Sequence, residues 1–178
     1  MSNHRIGPSI RPDDAWLAAW RQDINAMRAL VAGFEGRFGF APGRNTIDSP
    51  DPADLAAAHH LAEHQEMAAS LPHFYQHISA AVLEDIGNGY FIHAASHVLH
   101  DLAENGPITL GEPGPATLFA SDGGGTLFAI ATDGTIHRSN NADRDGDFRL
   151  VAEDLQDFLD QLRRIVNRFI ETGESGTL

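Results

Sequence analysis

His60-Leu-Ala-Glu63-His64 places two imidazoles four residues apart with a glutamate between them. On a helix, residues i and i+4 share a face. Such a pair holds one zinc ion while the glutamate serves as general base, the H-x-x-E-H arrangement of inverted zinc peptidases. That chemistry also needs a third, carboxylate ligand from another helix, and nothing singles out Glu84 or Glu104 for it. The chain has ten histidines in 178 residues, so pairs at helical spacing arise by chance, and a solvated face on an alanine-rich helix accounts for this one. His73 and His77 form a second i, i+4 pair, and His93, His97 and His100 fall at i, i+4, i+7. Either set could chelate an adventitious metal such as nickel, but imidazoles hydrogen-bonded to their neighbours are the simpler reading. No metal ligand, cofactor or catalytic residue is assigned.

Asn141-Ala-Asp143-Arg-Asp145-Gly146 imitates the opening of an EF-hand calcium loop, which wants Asp first and Glu twelfth. Here those positions are Asn141 and Ala152, the flanks read as strand, and an exposed acidic turn is expected. Gly123-Gly124-Gly125 is no phosphate cradle, because a strand follows it and the chain contains no lysine. No serine sits in a nucleophile elbow. The carboxylates are dispersed through turns and helix ends, so no pair takes an acid–base role.

The elements that position these residues are clearest between Phe119 and Ile136. Ser121-Asp122-Gly123-Gly124-Gly125 and Asp133-Gly134 are sharp turns, the second of the pair type favoured by a type I′ hairpin. Between them Thr126–Thr132 is apolar on both alternating faces, as in a central strand covered on two sides. Sheet hairpins are expected over about 108–139, an acidic loop over 140–147, and a last strand at 148–151. The closing helix carries Leu155, Phe158, Leu159, Leu162, Ile165, Val166, Phe169 and Ile170 on one face. Acids lie at its start and Arg163, Arg164 and Arg168 towards its end, in the order that suits the helix dipole.

Upstream, residues 1–12 read as a loose arm. Trp16, Trp20, Ile24, Met27, Val31, Phe34 and Phe38 recur at helical spacing and predict one amphipathic helix over about 14–33, its stripe available as core or as a homodimer contact. Residues 39–50 have linker composition. Asp51-Pro52 starts a helix expected to run to about Ala69, and Leu71-Pro72 starts a shorter one with Phe74, Tyr75 and Ile78. Gly87-Asn88-Gly89 turns into a strand at Tyr90–His93, and Ser96 caps a helix that Gly106-Pro107 ends. Helices, then an antiparallel sheet, then a helix make the class α+β, with a mostly antiparallel sheet flanked by helices and an N-terminal helical extension. The expected divisions are 1–50 (arm, helix and linker), 51–172 (α+β domain) and 173–178 (frayed tail).

The net charge of −13 repels phosphate backbones and anionic membranes and suits a basic protein partner, although simple solubility also accounts for it. No run is long enough to span a membrane and no apolar leader is visible at the start. The absence of cysteine fits a reducing compartment, so a cytoplasmic location is expected.

From Leu71-Pro72 to about Ile170 the chain resembles the SUKH superfamily. The matching features are Leu71-Pro72 before a short helix, Gly87-Asn88-Gly89, the Phe119-Ala-Ser-Asp-Gly-Gly-Gly-Thr-Leu-Phe-Ala-Ile core, and a closing helix opening with Glu153-Asp-Leu-Gln-Asp-Phe-Leu159. The superfamily includes a fungal cell-wall-synthesis regulator and many bacterial immunity proteins. The resemblance implies a non-enzymatic binding domain, an immunity protein that neutralises a cognate, basic, nuclease-type toxin. A regulatory or scaffold module is the alternative, and a zinc hydrolase at His60 and His64 a third reading. It implies structural roles for Asp122, Gly123, Gly124 and Gly125, with Asp122 bonding its own turn. The partner surface is expected on Asp133, Asp143, Asp145 and Asp147.

Overall fold

The structure is a computed structural model that describes residues 11–26, 28–174 and 176–178; the expected arm is therefore outside it up to residue 10, as is Met27 of the helical stripe. In chain order the elements are α1 (Asp14–Asn25), α2 (Arg28–Phe38), β1 (Asn45–Asp48), α3 (Pro52–Ala62), α4 (Ser70–Tyr75), β2 (Ala80–Leu83), β3 (Tyr90–Ile92), α5 (Ala95–Asn105), β4 (Ile108–Thr109), β5 (Pro115–Asp122), β6 (Leu127–Ala131), β7 (Ile136–Ser139), β8 (Phe148–Ala152) and α6 (Leu155–Thr172). The class is α+β. One eight-stranded sheet runs β1-β2-β3-β5-β6-β7-β8, with β4 beside β5, and its pairings are antiparallel. No helix among the described residues is long and apolar enough to cross a membrane.

Strand β6 shows why its sequence is apolar at every position. Phe128 and Ile130 face the main core, whereas Ala129 and Ala131 face a smaller cluster with Ile108, Leu110 and Ala116. Both flanking turns are the same device. Gly125 N donates to Asp122 O and Asp122 N to Thr126 O; Gly134 N donates to Ala131 O and Ala131 N to Thr135 O. Among the described residues positive φ occurs only at glycines, here Gly125 and Gly134, so each hairpin closes by a tight turn ending in a glycine bulge rather than by a type I′ pair. Gly123 has a different task. A Cβ there would overlap the Asn88 carbonyl oxygen, so its missing side chain admits the neighbouring β2–β3 turn.

Helix α6 lays its apolar face on the sheet, where Phe158 meets the rings of Phe119 and Phe128 at 5.4 and 5.3 Å between centroids. Asp154 caps it by accepting from Asp157 N, and Gly173 ends it in the left-handed conformation. Its arginines stand before the last turn and pair with acids instead: Arg163 with Asp23 and Asp160, Arg168 with Glu174.

Several expectations upstream are corrected. The single helix over 14–33 is two helices: Ala26 N donates back to Gln22 O and Asp23 O as α1 ends, and α2 then runs through Gly33 and Gly36 to Phe38. Stacking of Phe38 on Phe169 and the contact of Phe34 with Phe38 offset the helix cost of those glycines, about 1 kcal/mol each. Trp20 has no accessible surface and donates its indole N–H to Leu159 O at 2.7 Å. In that half of the stripe Trp20 and Ile24 are buried within the chain, and Trp16 is partly buried against the same core. The 39–50 segment contains β1, an edge strand paired to β2, and Ile47 on it belongs to the same core as α1 and α6. Helix α3 stops at Ala62 rather than near Ala69, which turns Met67 and Ala68 towards the core. Ala94, not Ser96, precedes α5, and Ser96 lies within that helix. The end of the chain is held: Leu178 N donates to Tyr90 Oη at 3.0 Å, and Arg138 donates to Leu178 O.

Two glycine substitutions separate close approach from helix propensity. Gly123→Ala is expected to lower the unfolding free energy by about 2–3 kcal/mol, because the obstructing atom is backbone. Gly36→Ala, with open space around it in α2, is expected to raise it by about 0.5–1 kcal/mol. Urea unfolding of the two variants checks both signs.

Candidate functional site

Antiparallel pairing brings three connections to one end of the sheet. Tyr90 pairs with Asp122, Ser121 with Leu127, and Ser139 with Phe148, so the β2–β3 turn, the β5–β6 turn and the β7–β8 loop adjoin. The start of β1 joins them, because Asn45 pairs with Leu83. Contacts lock the group: Gly123 N donates to Gly89 O at 3.1 Å, and Gly125 packs against Ala142 of the loop.

This end carries Glu84, Asp85, Asp122, Asp143, Asp145 and Asp147. Main-chain amides hold four of these side chains. Asp122 Oδ1 accepts from Gly124 N at 2.9 Å and Thr126 N at 2.7 Å. Asp85 accepts from Gly43 N at 3.0 and 3.1 Å, Glu84 from Arg44 N at 2.7 Å, and Asp143 from Asp145 N at 3.0 Å. Two neighbouring arginines are engaged elsewhere. Arg44 pairs with Asp48 at 2.7 Å, and Arg144 donates to Asp101 and to Gly106 O, each at 2.8 Å, which pins the acidic loop to the end of α5. Among the described residues no ion pair reaches any of the six carboxylates. An amide fixes a carboxylate without cancelling its charge, so the end is both ordered and strongly negative.

Of the four residues expected to form a partner surface, Asp143, Asp145 and Asp147 lie together and exposed here. Asp133 does not join them. It sits in the β6–β7 turn at the opposite end of the strands, half-buried, accepting from Thr135 N at 3.0 Å and Thr135 Oγ1 at 2.7 Å. Sequence reasoning missed Glu84 and Asp85. The signal was present in the Gly87-Asn88-Gly89 turn just after them, but strand β2 before it went unread.

The histidine patterns separate. His64 lies beyond the end of α3, so it shares no helix face with His60, whose Nδ1 lies 3.4 Å from Glu63 Oε2. His100 lies 3.3 Å from Glu104. His93 Nε2 lies 3.1 Å from Ser121 Oγ, a serine–histidine contact that the spacing did not reveal. Burial, reinforced by nearby His97, pushes the His93 imidazole down to about 4, leaving a poor general base at neutral pH. Asp101 is committed to Arg144 and Asn105 and does not complete a triad. Burial also lowers His73 and His137. His73 and His77 do come together, with ring centroids 5.1 Å apart.

Comparison with protein-family models finds none that matches this chain, and comparison with curated proteins finds no match either.

The His93 environment predicts a pH dependence. Its folded value of about 4 lies below the ordinary 6.5, so the unfolded chain binds the extra proton first as pH falls. The stability this neutral imidazole contributes is complete above about pH 6.5 and is lost as pH falls towards 4. Between pH 7 and pH 4.5 the wild type should lose about 2 kcal/mol more than His93→Gln, measured by urea unfolding at each pH. Equal losses in both proteins would overturn this account of the imidazole.

Proposed function

We propose that this chain is a non-enzymatic protein-binding domain of the SUKH type, a cytoplasmic immunity protein that neutralises a basic, nuclease-type toxin. The observation that carries this reading is the ordered end of the sheet, where no ion pair among the described residues reaches any of six carboxylates. The two turns that carry the resemblance, at Gly87–Gly89 and Ser121–Gly125, help to build that same end.

The physical argument is complementarity. A nuclease binds a polyanion, so its working groove is basic. A set of carboxylates already held in place presents negative charge to such a groove and loses little side-chain freedom on binding. The net charge of −13 adds long-range attraction that speeds encounter and weakens with salt. Asp143, Asp145 and Asp147 on the exposed loop would make first contact, with Glu84, Asp85 and Asp122 behind them.

The test is capture of the toxin encoded beside this gene, together with growth rescue on co-expression. Asp143→Lys, Asp145→Lys and Asp147→Lys combined should slow association by about tenfold or more at low salt and abolish rescue. Glu63→Lys, a single charge reversal near the other end of the sheet, should leave rescue intact. Capture and rescue by the triple variant at wild-type level would overturn this surface, and failure of the wild type to bind the toxin would overturn the reading itself.

A further inference from the structure

The pair His73 and His77 is joined by a residue from far upstream. Asp14, in the first turn of α1, brings Oδ1 to 3.3 Å from His73 Nε2 and 3.2 Å from His77 Nε2. One donor atom from each of the three residues lies within 4.8 Å of the other two. We propose that Asp14, His73 and His77 form a binding site for a zinc-type divalent ion, with three protein ligands and a further position left for water. This departs from the sequence reading, which assigned no metal, and it is independent of the proposed toxin surface.

Two observations support it. The first is spacing. Charge-assisted hydrogen bonds between imidazolium and carboxylate close to about 2.7–2.9 Å. The contacts here are longer. With zinc–ligand bonds of about 2.0–2.2 Å, neighbouring donors of a tetrahedral ion stand roughly 3.3–3.6 Å apart, and Asp14 Oδ1 lies close to that separation from each ring. The second is an unmet need. His73 Nε2 is buried and has no hydrogen-bond partner among the described residues, although Asp14 is near, because the two are not aligned to bond one another. A side chain 9% exposed with a bare ring nitrogen aimed at a carboxylate and a second imidazole is costly unless something occupies the space between them.

The donor set of two imidazoles and one carboxylate is that of zinc sites which keep an open position. Space for the remaining ligand exists on two sides. A cavity of about 240 Å³ is lined by His73, Gln76 and Arg11, and another of about 160 Å³ by Asp14, His77 and Arg21. Both hold water easily. Arg11 beside the first would favour an anion in the exchangeable position. His60 and His64 belong to no comparable three-residue group among the described residues.

The test uses the full chain made without a histidine tag and stripped with a chelator. Zinc alone is titrated by calorimetry, and cobalt replaces it for visible spectroscopy. The expected result is one equivalent per chain, with the d–d bands of a low-symmetry cobalt site. Asp14→Asn and His77→Ala, both on the more exposed side of the cluster, should weaken binding by more than about tenfold, since even an outer-shell partner contributes about 10–100-fold. Circular dichroism of these two variants confirms that they remain folded, and zinc should raise the melting temperature of the wild type but not theirs. The double variant His60→Ala, His64→Ala should bind as the wild type does. No stoichiometric zinc in the wild type, binding unchanged in both Asp14→Asn and His77→Ala, or loss in the His60/His64 double variant would each overturn the site.

Discussion

The close approach of two turns at Gly123 and Asn88 is the constraint on which the acidic end depends. No side chain fits between the Gly123 backbone and the Asn88 carbonyl oxygen. Because the two segments touch, Gly123 N can reach Gly89 O, and β3 and β5 stay in register from Tyr90–Asp122 inwards. Gly125 then presses against Ala142, so the position of the β7–β8 loop is inherited from the same contact. Asp122 completes the turn by accepting two amides of its own segment, which spends its hydrogen-bonding capacity locally while leaving its charge intact. The electrostatic character of this surface is thus a consequence of backbone packing.

Behind this end, the core explains why the turns are held rigidly. Phe119, Phe128 and Phe158 pack edge to face or tilted, fixing α6 over the middle of the sheet. Trp20 is driven into the space beside α6 and satisfies its indole N–H on Leu159 O, so the N-terminal helices belong to the same apolar cluster as the sheet. Arg163 stacks over Trp16 and pairs with Asp23 and Asp160, covering the outer edge of that contact. The last residues return over Tyr90 and Arg138 and fasten β3 and β7 close to the turns.

The parts of this architecture legible in the sequence are those with a strong period or a compulsory glycine. Helix α6 shows an unbroken 3.6-residue stripe, and β5 to β7 are bounded by Gly125 and Gly134, the two residues that adopt positive φ in those hairpins. β1 was illegible because only Ile47 of its four residues is buried, so Asn45–Asp48 shows no alternation. β2, Ala80–Leu83, is too short and uniformly apolar to be distinguished from the helix before it. The break between α1 and α2 carries no proline or glycine signal, since Gly33 and Gly36 lie inside α2, where aromatic packing outweighs propensity. The acidic loop could be read from its composition, whereas its grouping with Glu84 and Asp85 depends on strand order, which only the sheet reveals. Asp133 lies apart from the acidic loop for the same reason: alternate turns of a meander fall at opposite ends.

Strand direction also separates the acidic end from the Asp14–His73–His77 cluster. Chain passing from His77 into β2 travels the length of that strand before reaching Glu84, so the Asp14–His73–His77 cluster lies at the end of β2 opposite the acidic turns. Four residues of extended chain span about 13 Å, more than the screening length of about 8 Å at physiological salt. A charge bound at one end is therefore felt only weakly by exposed carboxylates at the other. What the two ends share is the mechanical frame. Asp14 opens α1, whose Trp20 is seated on α6, and α6 carries Phe158 onto the strands that lead to the acidic turns. An ion joining Asp14 to α4 would tighten that frame from its far side while changing the field of the acidic end only weakly.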